Sequence, residues 1–227
     1  MTDQNNADGV DVAIIDYGMG NLLSVSKAFE HVAPLADIVV TADPAVIAAA
    51  KRVVFPGVGA MPDCMRELAA RGLTEAIKQA AANKPFLGIC LGMQALFAHS
   101  EEGDSAGLGL LPGNVRLFPA EAMQDADGSK LKVPHIGWNQ VYQGTEGENR
   151  HPMWAGIEDG ARFYFVHSYY AEPADPSMVA GFTHYPFAFT CAVARDNVFA
   201  VQFHPEKSQA AGLRLLANFV TWEGNQR

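Results

Sequence analysis

A chain of 227 residues with 49% hydrophobic content can bury one substantial core or two small ones, and a net charge of -9 argues against a grip on phosphate backbones. The opening "MTDQNNADGV" lacks a basic, apolar leader, and no apolar run reaches the roughly 18 residues that would cross a bilayer, so a cytoplasmic protein with neither membrane nor nucleic acid as partner is expected. Cys64, Cys90 and Cys191 are odd in number and widely spaced, which suits a reducing compartment and matches no disulfide framework or zinc site.

A polar tail over residues 1–9 and a single domain over 10–227 are expected. "VDVAIIDYG" is a short β-rich run ending in glycine, after which Leu22, Val25, Phe29 and Val32 recur at helical spacing. "ADIVVT" then leads into "DPAVIAAA", where Asp43 suits an N-cap and Pro44 the first helical position. "RVVFPGVGA" predicts a third strand before a long helical stretch between Met65 and Ala82, and "KPFLGIC" a fourth before a helix over "LGMQALFAHSE". This alternation predicts an α/β fold with an open, mostly parallel sheet covered by helices. Beyond about Leu108 the texture is mostly β: "NVRLFP", "LKVPHIGWNQVYQ", "RFYFVHSYYAE", "FAFTCAVARDN" and "VFAVQFHPE" add an antiparallel portion to the C-terminal half. A closing helix carries Leu213, Leu216, Phe219 and Val220 on one face, and the segments around "EAMQDADGSK" and "QGTEGENRHP" read as surface loops.

Cys90 stands out because Gly88 and Gly92 flank it where the fourth strand should become a helix. A packed core cysteine needs no such glycines, whereas a nucleophile elbow does: the sharp turn strains the backbone and crowds its neighbours. At a helix N-terminus the thiolate would be favoured, and the N–H of Leu91 would point where an oxyanion could form. A base is available in "VQFHPEKS": on an extended strand His204 and Glu206 project to one side, so the carboxylate can orient the imidazole. His31, His99, His151 and His184 lack such a partner and read as surface residues. "PGVGA" after the third strand could supply a second oxyanion donor from the N–H groups around Val58 and Gly59, or be an ordinary turn. No metal-ligand spacing occurs. A nicotinamide-dependent enzyme is the competing reading, from "DYGMGNLL", although Leu23 occupies the third glycine position and only Asp37 or Asp43 could serve the ribose.

Taken together, "PGVG", "GICLGMQ", "FVHSY" and "FHPEKS" resemble the class I, or triad-type, glutamine amidotransferases over nearly the whole chain. Within that class, "DYGMGNL", "PHIGWN", "FYFVHSYY" and "VQFHPEKSQ" are most similar to the glutaminase subunits of imidazole glycerol phosphate synthases. The resemblance implies Cys90 as nucleophile, His204 as proton shuttle and Glu206 as its orienting carboxylate, with oxyanion donors at Leu91 and in Gly57-Val58-Gly59. It implies glutamine contacts at Gln94, Glu102, Ser168 and Tyr169, no cofactor or metal, and a separate (β/α)8-barrel cyclase subunit that takes the ammonia in histidine biosynthesis. Met19, Asn21, Trp138, Tyr164 and Lys207 fall where that family meets its cyclase. Met19 itself, and Pro186 after Tyr185, depart from the usual pattern. Two alternatives remain at this level: the glutaminase of anthranilate or GMP synthesis, and a non-catalytic binding module of the same fold.

Overall fold

The structure is a computed structural model that describes residues 9–124, 128–144 and 150–224. Residues 1–8 of the expected tail and parts of both expected loops lie outside the described residues. In chain order the elements are β1 (Val12–Ile15), α1 (Leu22–Val32), β2 (Ile38–Thr41), α2 (Pro44–Ala49), β3 (Arg52–Gly57), α3 (Met61–Ala70), α4 (Thr74–Asn83), β4 (Phe86–Cys90), α5 (Leu91–Gln94) and β5 (Phe97–Ser100). There follow β6 (Ser105–Ala106), β7 (Leu111–Leu117), β8 (His135–Gln140), β9 (Tyr142–Gln143), β10 (Arg162–His167), β11 (Tyr169–Pro173), β12 (Val179–His184), β13 (Ala188–Arg195), β14 (Val198–Val201) and α6 (Gln209–Thr221).

The main sheet runs β2-β1-β3-β4-β14-β13-β11-β7-β5-β6, with β12 also on β13 and β9 on β12. From β2 to β14 the neighbours are parallel, and from β14 to β7 they are antiparallel. Every residue of β1, β4 and β14 is buried, as expected of strands covered on both faces. Alternation then divides the core: Val12 and Ile14 pack with Phe29 and Phe219 of α1 and α6, whereas Ala13 and Ile15 pack with Ile47, Cys64, Leu68 and Ile77 of α2, α3 and α4. Asp43 caps α2 by accepting from the Ala45 N–H at 2.8 Å, with Pro44 opening the helix. A separate antiparallel ribbon pairs β8 with β10.

Two helical expectations are corrected. The stretch from Met65 to Ala82 is broken between α3 and α4, where Gly72 takes φ +67 and Leu73 turns into the core. The helix expected over "LGMQALFAHSE" ends at Gln94, because Phe97–Ser100 instead pairs in parallel with β7 as β5. Sheet hydrogen bonds there outweigh local helical propensity. On α6 the buried face carries Leu215 with Leu216 and Phe219, while Leu213 and Val220 are half-buried. No helix among the described residues is long and apolar enough to cross a membrane.

Candidate active site

Strand β4 delivers Cys90 into a left-handed corner, φ 55 and ψ -113, at the start of α5. A non-glycine residue held there stores strain, and its neighbours explain how the corner is tolerated. A Cβ on Gly92 would collide with the carbonyl oxygen of Phe55, and one on Gly57 would lie 2.8 Å from the Gly92 nitrogen. The β3–β4 register sets Gly57 directly beside Cys90, so the "PGVG" loop flanks the elbow. Because α5 has four residues, the helix-end field assumed from the sequence is carried by a single turn.

The expected base lies just beyond the neighbouring strand, β14. Beyond β14 the chain continues to His204, whose N–H donates to the Tyr164 carbonyl at 2.9 Å and whose carbonyl accepts from Ser208 Oγ at 2.6 Å. His204 Nδ1 lies 2.9 Å from Glu206 Oε1, with both side chains almost fully buried. The expected geometry is corrected here: Glu206 lies in a 3-10 turn over Pro205–Lys207, and that turn brings the carboxylate back to the ring. Burial alone would disfavour a charged imidazole, yet the facing Cys90 sulfur and the Glu206 carboxylate more than offset it and raise His204 to about 10. Cys90 Sγ also meets the Val166 carbonyl at 3.9 Å and Gln202 Nε2 at 3.7 Å.

These groups open on a cavity of about 310 Å³ that Val58, Gly59, Leu91, Gln94, Glu102, Ser168 and Tyr169 also line. The structure therefore brings the expected nucleophile, base, loop and substrate-contact positions to one place. Several are already committed to the fold. Gln94 gives both amide hydrogens away, to the Tyr169 carbonyl at 3.1 Å and Gln202 Oε1 at 2.9 Å, which leaves Oε1 as its open acceptor. Glu102 Oε2 accepts from the Met61 N–H at 2.8 Å, and the Ser168 carbonyl accepts from the Phe118 N–H at 3.2 Å.

His167, which lines this cavity, and Gln202 and His135, which lie behind lining residues that they bond to, are buried polar residues not among those expected from the sequence. The signal was present: a polar residue inside an apolar strand-like run must find a partner. His135 Nδ1 lies 2.9 Å from His167 Nε2, and burial lowers the two rings to about 4 and about 3. One of the expected surface histidines also differs: His151 is half-buried, 4.8 Å from the Phe199 ring centroid. His99 is at the surface but has a carboxylate partner, Asp104, at 2.8 Å. Gly18 and Gly20 do not line the cavity.

Among the residues expected to meet a partner, Trp138 and Tyr164 face each other across β8 and β10 at 6.0 Å, and Lys207 Nζ lies 5.9 Å from the Tyr164 ring. Trp138 is 43% exposed and Ile136 59%, so the ribbon presents apolar surface to solvent. Met19 Cε occupies the space that a Cβ on Gly59 would need, and Asn21 begins α1 without a side-chain capping bond. No cluster of three or more metal-ligating side chains occurs among the described residues.

A family model described as class-I glutamine amidotransferase matches residues 13–222. The imidazole glycerol phosphate synthase subunit HisH of Thiobacillus denitrificans is 70% identical over 94% of this chain and 92% of its own. That of Aromatoleum aromaticum is 66% identical over 93% and 98%. A solved putative GMP synthase component from Thermoplasma acidophilum shares the fold, with a TM-score of 0.67 at 16% identity over 94% of this chain and 93% of that one. The elbow, the buried imidazole–carboxylate pair and these likenesses converge: the chain belongs to the class-I glutamine amidotransferases and, within them, to the HisH subunits of imidazole glycerol phosphate synthase.

Proposed function

We propose that the chain hydrolyses glutamine and passes the ammonia to a (β/α)8-barrel cyclase, which makes imidazole glycerol phosphate and aminoimidazole carboxamide ribotide in the cytoplasm. The observation that carries this reading is the pairing of a strained Cys90 corner with the buried His204–Glu206 couple in one cavity. Cys90 Sγ bonds to the side-chain amide carbon of glutamine while His204, in the charged form its raised value favours, holds the thiol's proton on Nε2. The resulting oxyanion is met by the N–H of Leu91 and one from Gly57-Val58-Gly59. His204 then returns the proton as the C–N bond breaks and ammonia leaves, and a water activated by His204 cleaves the thioester to glutamate. Glu206 holds Nδ1–H, which leaves Nε2 for both transfers.

Recognition follows from what the lining residues still offer. Gln94 presents Oε1 and Glu102 its second carboxylate oxygen to the substrate's N–H groups, with the Ser168–Tyr169 backbone alongside. Met19, Asn21, Trp138, Tyr164 and Lys207 form the cyclase-facing side, a role supported by the exposed indole and its ring neighbours. Glutamate release by the purified chain, alone and with the ligand-bound cyclase, tests the proposal. Release should rise strongly with the partner and vanish in Cys90→Ala. Equal release with and without the cyclase, or retained release in Cys90→Ala, would overturn it.

A further inference from the structure

Gln202 follows β14 directly, and the β14–β4 register that sets Val201 against Ile89 leaves it beside Cys90. It is fully buried, and its amide has two partners, Gln94 Nε2 on Oε1 at 2.9 Å and Cys90 Sγ on Nε2 at 3.7 Å. Which end faces the sulfur is decided elsewhere. The Tyr169 carbonyl can only accept, so both groups on it, Gln94 Nε2 at 3.1 Å and His167 Nδ1 at 2.8 Å, must be donors. The second hydrogen on Gln94 Nε2 therefore needs an acceptor, which is Gln202 Oε1. Turning Gln202 over would set two donors against each other and an oxygen against the sulfur.

The same logic runs outward. With its proton on Nδ1, neutral His167 accepts at Nε2 from His135 Nδ1, and His135 Nε2 is left to accept from Asn139 Nδ2 at 3.4 Å. Two branches thus meet at the Tyr169 carbonyl, one from Asn139 of β8 through His135 and His167, the other from Gln94, which also donates toward Gln202.

We propose that Gln202 is a positioning residue for Cys90: it aims an amide N–H at Sγ, and the acceptor-only Tyr169 carbonyl, acting through Gln94, fixes that polarity. The thiol donates to the Val166 carbonyl, a contact useless to a thiolate, whereas the Gln202 N–H favours the charged sulfur. This inference rests on the proposed role of Cys90 as nucleophile.

The test is the pH dependence of Cys90 alkylation by iodoacetamide in the full chain and in Gln202→Met, a side chain of similar length that offers no N–H. Tyr17, Glu102, His167, Tyr169, His204 and Lys207 surround Cys90 in both proteins, so the difference reads Gln202. The midpoint should rise by about one pH unit, which slows alkylation about tenfold on its acid side. A merely structural role would change thermal stability and leave the midpoint in place. A measurement that needs no variant is the side-chain amide nitrogen resonance of Gln202 in the wild-type chain, which should titrate together with Cys90. An unmoved midpoint in the folded variant, or an amide resonance flat through the Cys90 titration, overturns the proposal. Retained glutamate release in Cys90→Ala would instead remove the nucleophile reading and leave the alkylation result standing.

Discussion

Replacing Glu206 by glutamine removes the negative charge behind His204 while keeping the side chain's shape. The interaction weakened is a 2.9 Å charge-assisted hydrogen bond between nearly inaccessible groups, worth about 1.5–3 kcal/mol. If all of it acts on the charged imidazole that holds the Cys90 proton, kcat for glutamine falls by about one to two orders of magnitude. Stability should follow pH with a definite sign. The folded-state value of His204, about 10, lies above the reference 6.5, so its contribution is complete below about 6.5 and disappears as pH rises through about 10. The gap caps that contribution at about 5 kcal/mol. Burial works against it, and the Cys90 sulfur and Glu206 share the favourable part. Glu206→Gln should therefore cost about 2 kcal/mol near pH 6 and much less above pH 10. Chemical denaturation at several pH values and kcat with the ligand-bound cyclase measure both effects. A stability difference independent of pH, together with an unchanged kcat, would refute the reasoning.

Gly92→Ala should destabilise the fold by about 3 kcal/mol, seen in the denaturation midpoint, because the new methyl meets the Phe55 carbonyl and not a yielding side chain. Arg52→Met should lower stability by about 1–2 kcal/mol by calorimetry, since the guanidinium donates to the Phe219 and Trp222 carbonyls at 3.1 and 3.2 Å where α6 ends. Trp138→Ala should weaken binding to the cyclase about tenfold or more in titration calorimetry, the exposed indole being the largest ring on the β8–β10 ribbon. An affinity equal to wild type would show that the ribbon is not the docking face.

The parallel half was legible because strands buried on both faces appear as unbroken apolar runs, and those around Ile14, Val54 and Leu87 did. The elbow was legible through Gly88 and Gly92, residues a helix start would otherwise avoid. His204 and Glu206 were paired correctly, but through a turn and not through strand alternation. Features that depend on distant partners were not legible. Leu91–Ser100 has helical periodicity, and only the later strand β7 pulls its second half into the sheet. Gln202, His135 and His167 declare their importance once their hydrogen-bonding partners, far away along the chain, are known. His151 looked exposed until Phe199 and Trp222 closed over its ring.

The position of β14 ties the assembly of the site to that of the sheet. It follows every other named strand in the chain, yet it takes a central place, between β4 and β13. Until it docks, β4 presents a bare edge and Cys90 lacks the imidazole that the proposed mechanism requires, so on that mechanism a chain interrupted before β14 releases no stray ammonia. Chemical competence and completion of the sheet arrive in the same step.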